Sequence, residues 1–116
     1  MWVLDLDITF KNNKLAKILN DRKKLLRVYG APNSKRIMMR LEFLRASVCL
    51  DDVPRDPPYR LHALHHNREG QFAVDLEHPQ RLVFEPNHNP LPRLKDSSVD
   101  LKRVTAITIL EVEDYH

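Results

Sequence analysis

Two glycines in 116 residues leave too few for a phosphate-cradling loop, which needs several to bring the backbone close to its ligand. Walker and dinucleotide-binding patterns are accordingly absent, and no nucleotide cofactor is expected. A lone cysteine, Cys49, cannot close an internal disulfide, and a cysteine-based zinc ribbon cannot be assembled from it. Flanked by Val48 and Leu50, it reads as a small buried hydrophobe in a reducing environment. No run approaches the roughly 18 apolar residues of a membrane span, and Asp5 and Asp7 fall where a signal peptide would be apolar. The expectation is a soluble, cytoplasmic chain. Internal repeats, heptads and low-complexity tracts are missing too, which sets aside coiled-coil, collagen and disordered readings. What remains is 42% hydrophobic and 30% charged, enough apolar material for one core over residues 1–116.

The net charge of +3 conceals a division. Residues 11–45 hold eleven Lys or Arg against Asp21 and Glu42, a local balance of +9, so the rest of the chain carries −6. A basic block of this kind suits a polyanion or an acidic protein, with Lys23, Lys24 and Arg27 the candidate RNA contacts. Ordinary solvated helix faces are the plainer reading.

Periodicity orders the elements. Residues 3–10 alternate as a strand, with Leu4, Leu6, Ile8 and Phe10 on one face. Helical spacing begins at Leu15 and runs through Ile18, Leu19, Arg22, Leu25, Leu26 and Tyr29, with Asn12 or Asn13 as N-cap and Gly30 as the stop. Pro32 opens a second helix striped by Ile37, Met38, Leu41, Leu44 and Val48. Residues 51–58, rich in proline and aspartate, form a loop. Residues 71–77 and 81–85 make an antiparallel hairpin turned at His78 and Pro79, with Phe72, Val74, Leu76, Leu82 and Phe84 inward and Arg81, Val83 and Glu85 outward. Residues 87–103 have turn composition, and a last strand carries Ile107, Ile109 and Val112. The sum is an α+β domain, an N-terminal strand and two-helix hairpin packed on an antiparallel β-sheet.

Histidines are concentrated at His62, His65 and His66, followed by His78, His88 and His116. Imidazole both takes and gives protons near neutrality, which cleavage of RNA through its own 2′-hydroxyl requires, and arginine can neutralise the phosphate. Arg60, Arg68 and Arg81 share that half of the chain. Against this stand surface histidines without a role, a metal triad of poor spacing, a frayed tail at His116, and an Arg81 that pairs with Glu85 or Asp75. No metal is expected.

Four segments carry a resemblance: Tyr59-Arg60-Leu61-His62-Ala63-Leu64, Asn67-Arg68-Glu69-Gly70-Gln71-Phe72-Ala73-Val74, Arg81-Leu82-Val83-Phe84 and Glu113-Asp114-Tyr115-His116. Together they resemble the HigB-type toxins of the RelE/ParE superfamily, over nearly the whole chain apart from residues 87–103. The resemblance implies a RelE-like fold and a bacterial toxin of a type II toxin-antitoxin system. Such a toxin is a metal-independent endoribonuclease that cuts mRNA on the ribosome and is restrained by a helix-turn-helix, HigA-like antitoxin. Carried over by position, it implies His62, Arg81, Asp114, Tyr115 and His116 as the catalytic group. Arg81 meets the phosphate, Tyr115 stacks or orients, and His62, Asp114 and His116 share proton transfer. Arg68 is a second phosphate contact. Two departures stand out: His65 occupies the place of a lysine common in the family, and residues 87–103 are an insertion. The alternative within the superfamily is a ParE-like or catalytically inactive member that acts by binding protein.

Overall fold

The computed structural model describes residues 5–114, as two helices and a five-stranded mixed sheet in the order β1-β5-β4-β3-β2. The first strand, β1 (Asp7–Phe10), leaves out Asp5 and Leu6 of the expected 3–10, and residues 3 and 4 lie outside the described residues. It runs parallel to β5 (Ala106–Asp114), with Ile8 opposite Ile107. The all-antiparallel expectation is therefore corrected. A parallel pair needs a long crossover, and here almost the whole chain serves as one.

Helix α1 (Asn13–Leu19) starts where Asn12 accepts the Leu15 N–H. It does not run on to Tyr29 as the apolar spacing predicts. Asp21 takes up the backbone N–H groups of Lys23 and Lys24 and caps a new helix, α2 (Arg22–Ala46). A side chain able to satisfy two orphan donors favours a fresh start over continuation. Gly30 then interrupts α2 at φ 81°, a backbone conformation that costs a residue with a Cβ, and Pro32 follows in the resumed first turn. The two-helix hairpin is thus a short helix followed by a long one broken at the expected glycine.

The sheet presents one face to α2. Leu25, Ile37, Leu41 and Leu44 pack on Phe72, Val74, Leu82, Phe84, Ile107 and Ile109 in one core cluster. Burial of each such side chain contributes about 1.5–3 kcal/mol before entropy is charged against it. Arg40 joins them at 2% exposure, its Nε donating to the Asp75 carbonyl at 2.8 Å and its guanidinium lying 4.3 Å over the Tyr59 ring. That burial depresses its pKa by desolvation. Val48, placed in the helical stripe by spacing, lies beyond the helix and is exposed, and Cys49 is half-buried rather than buried.

Strands β3 (Phe72–Asp75) and β4 (Gln80–Pro86) form the expected hairpin, with β2 (His62–Ala63) on the outer edge. Between β4 and β5 the register slips after Val83, where Val83 faces Glu111 and Phe84 faces Ile109. Leu110 is the extra residue of a bulge. Its insertion reverses the alternation of β5, so Ile107 and Ile109 point to the core while Glu111 and Glu113 share the opposite face with Val83 and Arg81. Val83 is not exposed there, because Leu64, Ala73 and the partly buried Leu110 close over it. Residues 87–103 fold back on themselves through an Arg93–Val99 bridge, and His88 Nε2 accepts the Thr105 N–H at 3.0 Å.

Candidate functional site

Cross-strand register assembles the site on the face away from α2. Pairing His62 with Ala73, Ala73 with Val83, and Val83 with Glu111 lays one row across four strands. The adjacent row runs Asp75, Arg81, Glu113. Side chains directly opposite on one face lie close enough to interact, so strand pairing alone brings a histidine, an arginine and carboxylates together.

A cleft of about 720 Å³ opens over these rows, lined by His62, His65, His66, Arg68, Arg81, Glu113 and Asp114, with Ala63, Leu64 and Asn67 between them. His62 is half-buried while His65 and His66 are exposed, and a single 3₁₀ turn, His66–Arg68, swings Arg68 over the sheet. Asp114, at the end of β5, lies opposite Gln80. His62, His65, Arg68, Arg81 and Asp114 are therefore brought to one place. Tyr115 and His116 lie outside the described residues. Lys23, Lys24 and Arg27 stand on α2, which packs on the other face of the sheet. They do not line the cleft.

Glu113 is the member that the sequence reading missed. Its Oε2 accepts from both Nε and Nη2 of Arg81 at 2.7 Å, and its Oε1 lies 2.8 Å from Arg68 Nη2. The plainer reading offered Arg81 a partner in Glu85 or Asp75, and the ion pair formed here is with Glu113. Asp75 instead holds Arg60, Nε to Oδ2 at 2.6 Å. Arg68 also donates to Glu111, and that hydrogen bond, ahead of the charges of Glu111 and Glu113, raises its pKa. At 15% exposure for Arg81 and 20% for Glu113, the pair is shielded but not sealed. The cleft thus carries Arg68 and Arg81 against Glu113 and Asp114, with the imidazoles of His62, His65 and His66 beside them.

His62 has a defined orientation. Its Nδ1–H donates to the Arg60 carbonyl at 2.6 Å. A carbonyl only accepts, so the neutral ring carries its proton on Nδ1 and its lone pair on Nε2. Chemically, the cleft offers a basic nitrogen, guanidinium groups for an anion, and carboxylates that hold those groups in place. Among the described residues, no group of three or more His, Cys, Asp or Glu is arranged to hold a metal ion.

Residues 87–103 border this region. Leu91, Arg93, Val99 and Leu101 line a neighbouring cleft of about 660 Å³ that shares Ala63, Leu64 and His65 with the first. No helix among the described residues is long and apolar enough to cross a membrane. Neither a known family model nor any curated protein matches the chain.

Proposed function

We propose that this protein is a metal-independent endoribonuclease that cuts mRNA on the ribosome, the RelE-like, HigB-type toxin of a type II toxin-antitoxin pair restrained by a HigA-like antitoxin. The observation that carries the reading is the convergence of His62, Arg68, Arg81 and Asp114 on one cleft, from segments far apart in sequence. In the reaction the 2′-hydroxyl gives its proton to a cleft base and its oxygen bonds to phosphorus. The bond from phosphorus to the 5′-oxygen breaks, and that oxygen takes a proton from a cleft acid. Arg81 and Arg68 neutralise the phosphate, exchanging their hold on Glu113 for it. His62, Asp114 and His116 share the proton transfers, Tyr115 stacks or orients, and His65 supplies a cation where relatives in the resembled family have lysine.

Inducible expression tests this, with and without a helix-turn-helix protein encoded beside it. Growth arrest relieved by that neighbour is expected, with mRNA cut only when ribosomes are present and equally well in EDTA after Mg²⁺-independent stabilisation of the ribosomes. Expression without arrest or cleavage overturns the reading. The paired state of Arg68 and Arg81 favours a second one, a ParE-like or inactive relative that binds protein through this face. Growth arrest with intact mRNA would select it.

A further inference from the structure

We infer that Arg60 is a positioning residue whose backbone fixes the proton of His62 on Nδ1, leaving Nε2 as the nitrogen that exchanges protons with RNA. This inference rests on the proposed reading of the cleft as a proton-transfer site, but its geometry stands apart from it. Arg60 has φ 49°, in the left-handed region that a residue with a Cβ seldom adopts. An unfavourable backbone persists only where its surroundings over-determine it, and such residues gather at functional sites.

Here the surroundings are explicit. The Arg60 N–H donates to the Asp56 carbonyl at 3.0 Å, and the next amide, Leu61, donates to Pro54 at 3.0 Å. The guanidinium is held by Asp75, whose own N–H donates to the Tyr59 carbonyl at 2.8 Å. Asp75 is anchored in turn, its carbonyl receiving Arg40 Nε from the buried side of the sheet. The turn at Arg60 is therefore clamped before, after and through its side chain, and the carbonyl so aimed meets His62 Nδ1 two residues on. Without that acceptor a neutral imidazole divides its proton between the two nitrogens, and molecules protonated on Nε2 cannot take a proton there.

Ring-nitrogen NMR of the full chain, with ¹⁵N-labelled histidine, reads the tautomer directly. In the parent protein the neutral His62 ring is expected with its proton on Nδ1. Arg60→Gly accepts the positive φ and should keep that signature. Arg60→Val resists it and should give a mixed tautomer with cleavage reduced about tenfold or more, while Arg60→Gly cleaves within a few-fold of parent. A purely structural Arg60 would not separate these variants by the His62 signature. Should Arg60→Val fail to fold, Arg60→Ala, which loses the guanidinium as Arg60→Gly does but resists the positive φ, is expected to shift His62 part of the way. A parent ring protonated on Nε2, or a tautomer unmoved in both Arg60→Val and Arg60→Ala, overturns the inference. An Nδ1–H tautomer that responds as expected, in a protein that cuts no mRNA, would uphold Arg60 and remove the proposed function instead.

Discussion

Glu113 bridges the guanidinium groups of Arg81 and Arg68, the groups that the proposed reaction would turn to a phosphate. A carboxylate there does two opposing things. It holds both arginines in position without ligand, and it competes with any anion that approaches them. Glu113→Gln keeps the shape and removes the charge, so a short single-stranded RNA should bind several-fold more tightly, with a steeper dependence on salt. Arg81→Ala should act in the opposite direction and reduce cleavage about 100-fold or more. Fluorescence anisotropy across a salt series checks the first and ribosome-dependent cleavage the second; weaker binding by Glu113→Gln would mean that the carboxylate serves the RNA directly. Residue chemistry pointed to the clustered histidines and to the arginines of the same half, and it was the resemblance, carried over by position, that singled out His62, Arg68 and Arg81. Glu113 was one acid among sixteen, and nothing local marks it. Its importance comes from a register that pairs it with Arg81 across strands.

The elements divide along similar lines. Phe72 and Val74, like Leu82 and Phe84, announce strands because alternate large apolar side chains on one face write themselves into a single segment. The spacing of Ile107, Ile109 and Val112 held more than a strand, since its break in parity is the bulge at Leu110 that turns two glutamates toward the cleft. The two-residue β2 and the parallel β1–β5 pairing had no local trace, the first being too short for a period and the second depending on contacts across the whole chain. The helix break at Asp21 was hidden in an otherwise unbroken apolar spacing. Its carboxylate sits below the usual aspartate pKa, chiefly through the Lys24 backbone N–H, with Lys23 and nearby positive charges adding to it and slight desolvation opposing. A depressed folded-state pKa gives stability that is present above the unfolded pKa and lost as pH falls through the folded one. Asp21→Asn keeps an acceptor but does not titrate, so any advantage of the parent over it should shrink as pH falls below the usual aspartate pKa and through the lowered folded-state one, measured by urea unfolding. At Gly30 nothing lies within 4 Å of a would-be Cβ, yet φ is +81°. Gly30→Ala should therefore cost about 1–2 kcal/mol from backbone strain without any clash, read by the same unfolding curves.

On the scale of the molecule, chemistry and charge lie on different sides. The α2 cations, among them Lys23 and Arg27 in exposed positions, belong to the layer that covers one face of the sheet, whereas the cleft opens on the other. A substrate gripped only at the cleft would leave the basic block idle. A partner as large and as anionic as a ribosome can meet both, with rRNA against the helices and mRNA in the cleft. The two surfaces should then fail separately. Reversing Lys23 and Lys24 to Glu changes the local charge by four units, so association with ribosomes should weaken by at least about tenfold and lose much of its salt dependence, because fewer counterions are released. The Asp21 cap is formed by backbone N–H groups of those residues and survives the change of side chain, although two acids near a helix start also favour the helix slightly. Folding stability is expected to hold. Cleft variants such as Arg81→Ala should show the reverse, with near-parental ribosome binding and lost cleavage. Ribosome cosedimentation at low and high salt, run beside cleavage for both proteins, makes the comparison. Unchanged cosedimentation of the double reversal would mean that the basic block is a solvated face and that docking lies elsewhere on the surface.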